Sequence, residues 1–130
     1  MSSSDDERRE RETRLLEEAL RAELAERPEL LPPWQRYPEG ERFSSFWRMG
    51  QGEWYAMIFA RWLEPLSREE RALYFRRHGP VPTEWADWVA SAIYGWGGDE
   101  DDDALLSQVR RLEREHGLVD AAAWEGRRSD

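Results

Sequence analysis

The sequence predicts an all-α protein, a single-domain bundle of about five helices around a buried, tryptophan-rich central helix, with a proline-rich ordered loop. Three observations support this fold class. Residues 54–63, WYAMIFARWL, carry one formal charge in ten positions, and a helix that is apolar on every side belongs inside a packed bundle. The remaining apolar residues recur mostly at helical spacing. Capping residues and prolines divide the chain into segments of helical length.

Two alternative interpretations of residues 54–63 fit the sequence less well. A stretch of ten residues is too short to cross a bilayer, which takes roughly 18 or more apolar residues. A buried strand would suit the aromatic residues and the isoleucine, but Ala56, Met57 and Ala60 favour a helix. Apolar residues on neighbouring turns also extend the pattern beyond the length of a strand.

Composition limits the classes of partner. The chain has 130 residues, a formal net charge of −9, and 12% aromatic residues including eight tryptophans, which is enough for one core. Strong negative charge argues against non-specific binding to nucleic acid or anionic membranes and favours a basic partner. The chain has no cysteine, and the start, MSSSDDERRERETR, lacks the apolar segment of a signal peptide. We therefore predict a cytoplasmic protein.

The first helix is expected to begin at Ser4, which has capping-box spacing to Glu7, and to end near Glu26. Its apolar residues are restricted to the second half, from Leu15 onwards, so its first turns have no face to bury.

The distribution of apolar and charged residues also predicts the domain organisation. We expect a charged, frayed helix start over 1–14, a single helical domain over 15–125, and a mobile tail over 126–130.

Residues 29–42, ELLPPWQRYPEGER, form a long proline-rich connection whose backbone is expected to be extended and irregular. Four of its residues are too apolar for a free linker: Leu30, Leu31, Trp34 and Tyr37. We therefore expect an ordered loop that docks on the helices, and ordered loops of this length are often functional.

The central helix is expected to begin near Ser44 or Ser45 and to end at Glu64, before a proline. Gly50 and Gly52 interrupt its first half, at a cost of about 1 kcal/mol each relative to alanine. Either a loop leads into a shorter helix, or another group approaches the backbone closely there. We favour a continuous helix with a weak point.

Two capped helices follow. Ser67 and Glu70 have capping-box spacing, and the helix that they open is expected to end at Gly79. After the rigid turn PVP, Thr83 is the predicted N-cap of the clearest amphipathic helix in the chain, which ends at the glycine pair 97–98.

The acidic run 99–103 precedes a further helix, which is expected to stop at Gly117, and its carboxylates suit a helix N-terminus. The segment DAAAWEGRRSD adds a short sixth helix or part of one. We expect Trp34, Trp96 and Trp124 to be partly exposed, because they lie at element ends or in loops.

No pattern typical of a metal or catalytic site is present in the sequence. The two histidines, His78 and His116, lie at predicted helix ends, where a positive charge suits the helix dipole. The run DEDDD lacks the alternating ligands, the glycine and the glutamate of a calcium-binding loop. The chain contains no lysine, nucleophile elbow or phosphate-binding loop. We therefore predict no metal and no cofactor, and we favour a function other than catalysis.

The best candidate for a functional surface is segment 34–55, which combines a proline-stiffened loop, two glycines and the residue types that anchor protein interfaces. The candidate partner-binding residues are Trp34, Arg36, Tyr37, Arg48, Glu53 and Tyr55. The alternative is structural: the aromatic side chains fill a core and the arginines pair with neighbouring glutamates.

Three functions are consistent with these patterns. The first is a non-enzymatic interaction module that binds a basic protein, as an immunity protein, inhibitor or adaptor would. The second is an enzyme or small-molecule binder with a pocket near Arg48 and Glu53. The third is a structural homo-oligomer, for example a homodimer, that buries its spare tryptophans against a copy of itself. Nucleic-acid binding and membrane association are not expected.

Overall fold

The computed structural model describes residues 3–40, 42, 45–47, 50–95 and 102–129, and within these ranges the chain forms helices and turns without a strand. The α-helices of this part of the chain are α1 (Ser3–Glu26), α2 (Pro33–Arg36), α3 (Gly50–Leu63), α4 (Arg68–His78), α5 (Ala86–Tyr94), α6 (Asp102–His116) and α7 (Ala121–Ser129). Short 3-10 turns occupy Ser45–Trp47 and Thr83–Trp85. The predicted all-α class is confirmed. The described residues contain seven α-helices rather than about five, because α2 forms in the proline-rich loop and the short segment after Gly117 does become helical.

The chain divides into two compact units, residues 1–64 and residues 65–130. The predicted frayed start (1–14), single domain (15–125) and mobile tail (126–130) stay predictions.

In the first unit, α1 and α2 pack against α3. The buried side of α3 consists of Tyr55, Ile58, Phe59 and Leu63, which recur at the spacing of one helical face. The outer side of the same helix is open, since Trp54 is 37% and Met57 43% exposed. The expectation that this helix would be covered on every side therefore does not hold for that face.

The proline-rich loop docks as expected. Leu30 and Tyr37 are buried, as are Pro32 and Pro33. Its middle is not irregular but forms α2, one helical turn with Pro33 at the first position, where a missing N–H costs nothing.

The prediction of a continuous central helix from Ser44 or Ser45 is wrong. Ser44 lies outside the described residues, Ser45 begins a 3-10 turn, and α3 begins only at Gly50, whose φ of 70° prevents the helix from extending further towards the N-terminus. The alternative is confirmed as far as the shorter helix is concerned, and residues 48–49, which precede it, lie outside the described residues. At Gly52 the close approach comes from the chain itself, since a Cβ there would fall on the carbonyl oxygen and ring of Phe46.

In the second unit, three helix ends that were predicted from adjacent residues are confirmed: both ends of α4 and the C-terminal end of α6. Ser67 Oγ accepts from the Glu70 N–H at 3.1 Å, while the Ser67 N–H donates to Glu70 Oε1 at 2.9 Å, which completes the capping box. The first of these helices ends at His78, before Gly79, and α6 ends before Gly117, which has a φ of 62°.

Two boundaries of α5 differ from the prediction. Thr83 begins a 3-10 turn instead of capping the helix, which starts at Ala86. The helix ends at Tyr94 because Gly95 adopts a φ of 129°, two residues before the predicted stop. Residues 97–98, Trp96 and the first three residues of the acidic run lie outside the described residues, whereas the run's last two begin α6.

The core of the second unit contains two buried tryptophans, Trp85 and Trp124. The prediction that Trp124 is partly exposed is wrong. It lies three residues after the buried Ala121 on α7, so the two share a helical face that is covered. Trp34, in contrast, is half-buried, as expected.

Candidate functional site

A cleft of about 260 Å³ opens to solvent between α1, α2 and α3 in the first unit. Small and aliphatic residues line one part of it, namely Ala19, Ala22 and Ile58. Charged and polar residues contribute Glu23, Glu26, Arg36 and Gln51, and aromatic residues contribute Tyr37, Trp54 and Tyr55. Ala19 and Ala22 are about one turn apart on α1. The cleft exists because these two side chains are too short to fill the space beside α3.

Arg36 lies within the cleft between an acidic and an aromatic surface. Its Nη2 is 3.5 Å from Glu23 Oε1, and its guanidinium carbon is 4.6 Å from the centroid of the Tyr37 ring and 5.8 Å from that of Tyr55. Both ring distances are within the range of cation–π attraction. The cleft therefore already holds one guanidinium, which belongs to the protein itself.

Tyr55 joins the proline-rich loop to α3. Its hydroxyl donates a hydrogen bond to the Leu31 carbonyl at 2.6 Å. Burial, followed by the negative charge of Glu23, raises the pKa of Tyr55 well above its ordinary value of 10.0. Tyr55 is therefore neutral at physiological pH and remains a hydrogen-bond donor.

Replacing Tyr55 with phenylalanine is expected to lower the free energy of unfolding by about 1 kcal/mol, because the Leu31 carbonyl loses its partner in a partly buried position. The measurement is urea unfolding followed by far-UV circular dichroism. Tyr94→Phe is the control, since the hydroxyl of Tyr94 donates to Glu115 Oε1 at 2.9 Å in an exposed position. Equal losses for the two variants would contradict the prediction.

Tyr37 is held in place by three other aromatic rings. Its ring centroid lies 5.4 Å from that of Phe46, 6.4 Å from Trp47 and 5.6 Å from Tyr55. Trp47 is itself fixed, since its Nε1–H donates to the Gly40 carbonyl at 3.1 Å. This packing gives the aromatic side of the cleft a defined position.

The structure brings together three of the six predicted partner-binding residues, Arg36, Tyr37 and Tyr55, which line the cleft. Trp34 is half-buried on α2 and does not line it, and Glu53 is exposed in the first turn of α3 and does not line it either. Arg48 lies outside the described residues.

The contribution of α1 to the cleft was not predicted from the sequence. Glu23 and Glu26 line the cleft together with Ala19 and Ala22. These four residues lie at positions i, i+3, i+4 and i+7 and so share one helix face. Their side chains are small or acidic, whereas a face that packs against a core usually carries large apolar side chains. That departure from the amphipathic pattern is a signal that the sequence does contain. Trp54 was predicted to lie either in the functional segment 34–55 or in the core, and it lines the cleft and is exposed.

An exposed apolar surface adjoins the cleft. Trp54 and Met57, which we call the Trp54–Met57 patch, lie three residues apart on α3, so they are neighbours on one helix face. Trp54 belongs to both the patch and the cleft wall. The indole of Trp54 therefore connects the acidic cleft to the Trp54–Met57 patch.

The size and composition of the cleft limit its chemistry. Pockets for drug-sized ligands enclose about 300–1,000 Å³, whereas this open cleft encloses about 260 Å³, a space suited to one side chain. Among the described residues, no group of three or more histidines, cysteines or carboxylates is placed to hold a metal ion. No helix in the described ranges has both the length and the apolar character needed to cross a membrane.

No protein-family model, curated protein or solved structure matches this chain.

Proposed function

We propose that the protein is a non-enzymatic interaction module that binds a basic protein partner in the cytoplasm, in the manner of an immunity protein, an inhibitor or an adaptor. The observation that carries the proposal is the exposed indole of Trp54 on the wall of a cleft that two carboxylates, Glu23 and Glu26, also line. Arg36 is the single cation among the residues that line this cleft.

The residue types support protein binding. Tryptophan and methionine are enriched at the centres of protein interfaces, where a few large side chains carry most of the binding free energy. Trp54 and Met57 together supply such an anchor, and the adjacent carboxylates supply complementarity to a basic surface. The net charge of −9 adds long-range attraction for a basic partner.

The proposal is tested by affinity capture from a lysate of the source cells at low and at physiological salt, with the wild-type chain and two variants as baits. A basic protein should be captured, and its association should slow as salt rises. Trp54→Ala should weaken its binding about tenfold, which corresponds to about 1.4 kcal/mol.

The matched control for this experiment is Leu73→Ala, which removes another exposed apolar side chain, 52% accessible, from a helix of the second unit. This variant should capture the partner as the wild-type chain does. A captured protein whose association is independent of salt, or which binds Trp54→Ala as tightly as the wild type, would contradict the proposal.

Self-association and small-molecule binding receive less support. Contact between two copies through the Trp54–Met57 patch would bring their acidic clefts together, and like charges oppose such contact. A monomeric mass at high protein concentration would agree with the proposal. The small volume of the cleft argues against a drug-sized ligand.

A further inference from the structure

The position of Arg36 indicates which chemical group the cleft accommodates. A guanidinium is held there by one carboxylate, Glu23 at 3.5 Å, and by the rings of Tyr37 and Tyr55 at 4.6 and 5.8 Å. A planar cation suits such a place because it pairs with a carboxylate along its edge and stacks on aromatic rings through its face.

A second carboxylate and a third aromatic ring line the same cleft. Glu26 is one turn beyond Ala22 on α1, and Trp54 faces the cleft from α3. Among the residues that the structure describes, Glu26 forms no ion pair and no cation lies over the ring of Trp54. The cleft is thus lined by a further carboxylate and a further aromatic ring, the two types of group that hold Arg36, and neither carries a cation of the described residues.

We propose that Glu26 and Trp54 bind the side chain of an arginine from the partner, which would lie in the cleft beside Arg36. This inference rests on the proposed function and names the group that the partner presents. Arginine is preferred to lysine because its guanidinium stacks on an indole and is more weakly hydrated than an ammonium group. A cleft of about 260 Å³ accepts one such side chain.

The inference is tested on the full chain with a small probe, Nα-acetyl-arginine methylamide, in a titration followed by ¹H–¹⁵N correlation spectra. Three signals report on the cleft: the indole N–H of Trp54 and the backbone amides of Ala19 and Ala22. We expect these signals to shift in a saturable manner. The dissociation constant should be on the order of millimolar, which corresponds to a binding free energy of about 4 kcal/mol.

Two further probes separate charge from shape. The citrulline analogue has nearly the same shape without the charge and should bind at least about tenfold more weakly, the discrimination that one charged contact provides. The lysine analogue keeps the charge without the planar group and should bind about threefold more weakly than the arginine probe. Equal shifts with the arginine and citrulline probes would overturn the inference, as would tighter binding of the lysine probe.

Variants of α1 locate the site. Glu26→Gln should weaken the arginine probe about tenfold, because it removes the carboxylate and keeps the size of the side chain. Glu12→Gln makes the same change at an exposed position of α1 that does not line the cleft, and it should leave binding unchanged. Equal effects of the two variants would show that the probe responds only to the overall negative charge and would overturn the inference.

The two proposals fail in different ways. If the arginine probe leaves the Trp54 indole signal unshifted while Trp54→Ala still weakens capture of the partner, the arginine site is wrong and the proposed function stands. If the probe binds at Glu26 while Trp54→Ala captures the partner normally, the cleft recognises arginine but the proposed interface is wrong.

Discussion

Replacing Arg71 with methionine should lower the free energy of unfolding by about 2–4 kcal/mol. The half-buried guanidinium of Arg71 donates from Nε to the Leu66 carbonyl at 3.0 Å and from Nη1 to the Ala92 carbonyl at 2.7 Å. Ala92 is in the last turn of α5, where carbonyl groups lack partners within the helix. Hydrogen bonds from a charged donor contribute about 1.5–3 kcal/mol each. Methionine keeps the apolar stem and leaves both carbonyls without a donor.

The measurement is urea unfolding of the purified variants, followed by far-UV circular dichroism. Arg71→Lys should give an intermediate loss, since one ammonium group cannot reproduce the fork of two donors. The control is Arg114→Met on an exposed position of α6, which should change stability by no more than about 0.5 kcal/mol. A loss at Arg71 no larger than that at Arg114 would show that the two carbonyls are satisfied by water.

Helix ends were predictable where a few adjacent residues determine them. The capping box of Ser67 and Glu70 forms two hydrogen bonds within four residues, so it can be predicted without knowing how the rest of the chain folds. The end of α6 at Gly117 is of the same kind, because a left-handed backbone conformation follows from glycine itself. Gly95 shows the limit of this reasoning, since it ended α5 two residues before a glycine pair that offered the same signal.

Burial was less predictable because it depends on residues far apart in the sequence. Trp124 looked exposed as part of a short terminal segment, but α7 packs its face against the second unit's core. Trp54 looked buried because its neighbours in sequence are apolar, yet its side chain is partly exposed at the edge of the cleft, whereas Tyr55 and Phe59 are buried. Neither outcome follows from a local pattern.

The candidate site was predictable in part. Arg36, Tyr37 and Tyr55 were identified because arginine and tyrosine in a proline-rich loop, or at the helix after it, are typical of interfaces. Glu23 and Glu26 were not identified, because the face of α1 that meets α3 is set by packing between residues more than 25 positions apart. The two glutamates also looked like ordinary members of a charged helix.

Gly52→Ala is the second substitution with a large expected effect, and it is expected to destabilise the first unit by up to about 2 kcal/mol. Two contributions oppose each other. In a helix, alanine is intrinsically favoured over glycine by about 1 kcal/mol, whereas forcing an extra carbon into a filled space costs about 1–3 kcal/mol. A Cβ on Gly52 would lie 2.6 Å from a ring carbon of Phe46 and closer still to the Phe46 carbonyl oxygen. Because the obstacle includes backbone, the 3-10 turn Ser45–Trp47 must move away from α3, so the packing cost prevails.

The chain provides a matched control for this prediction in Gly126 of α7, where an added Cβ would point into open space beside the helix. Gly126→Ala should therefore gain up to about 1 kcal/mol from helix propensity alone. The same chemical change is thus expected to have opposite signs at the two glycines, which urea unfolding of both variants can measure. A stabilising Gly52→Ala would show that Phe46 does not pack against the start of α3, and the aromatic cluster around Tyr37 would then lose its support. If Gly52→Ala lowers stability and leaves the far-UV spectrum unchanged, the contact between Gly52 and Phe46 holds the aromatic side of the cleft in position.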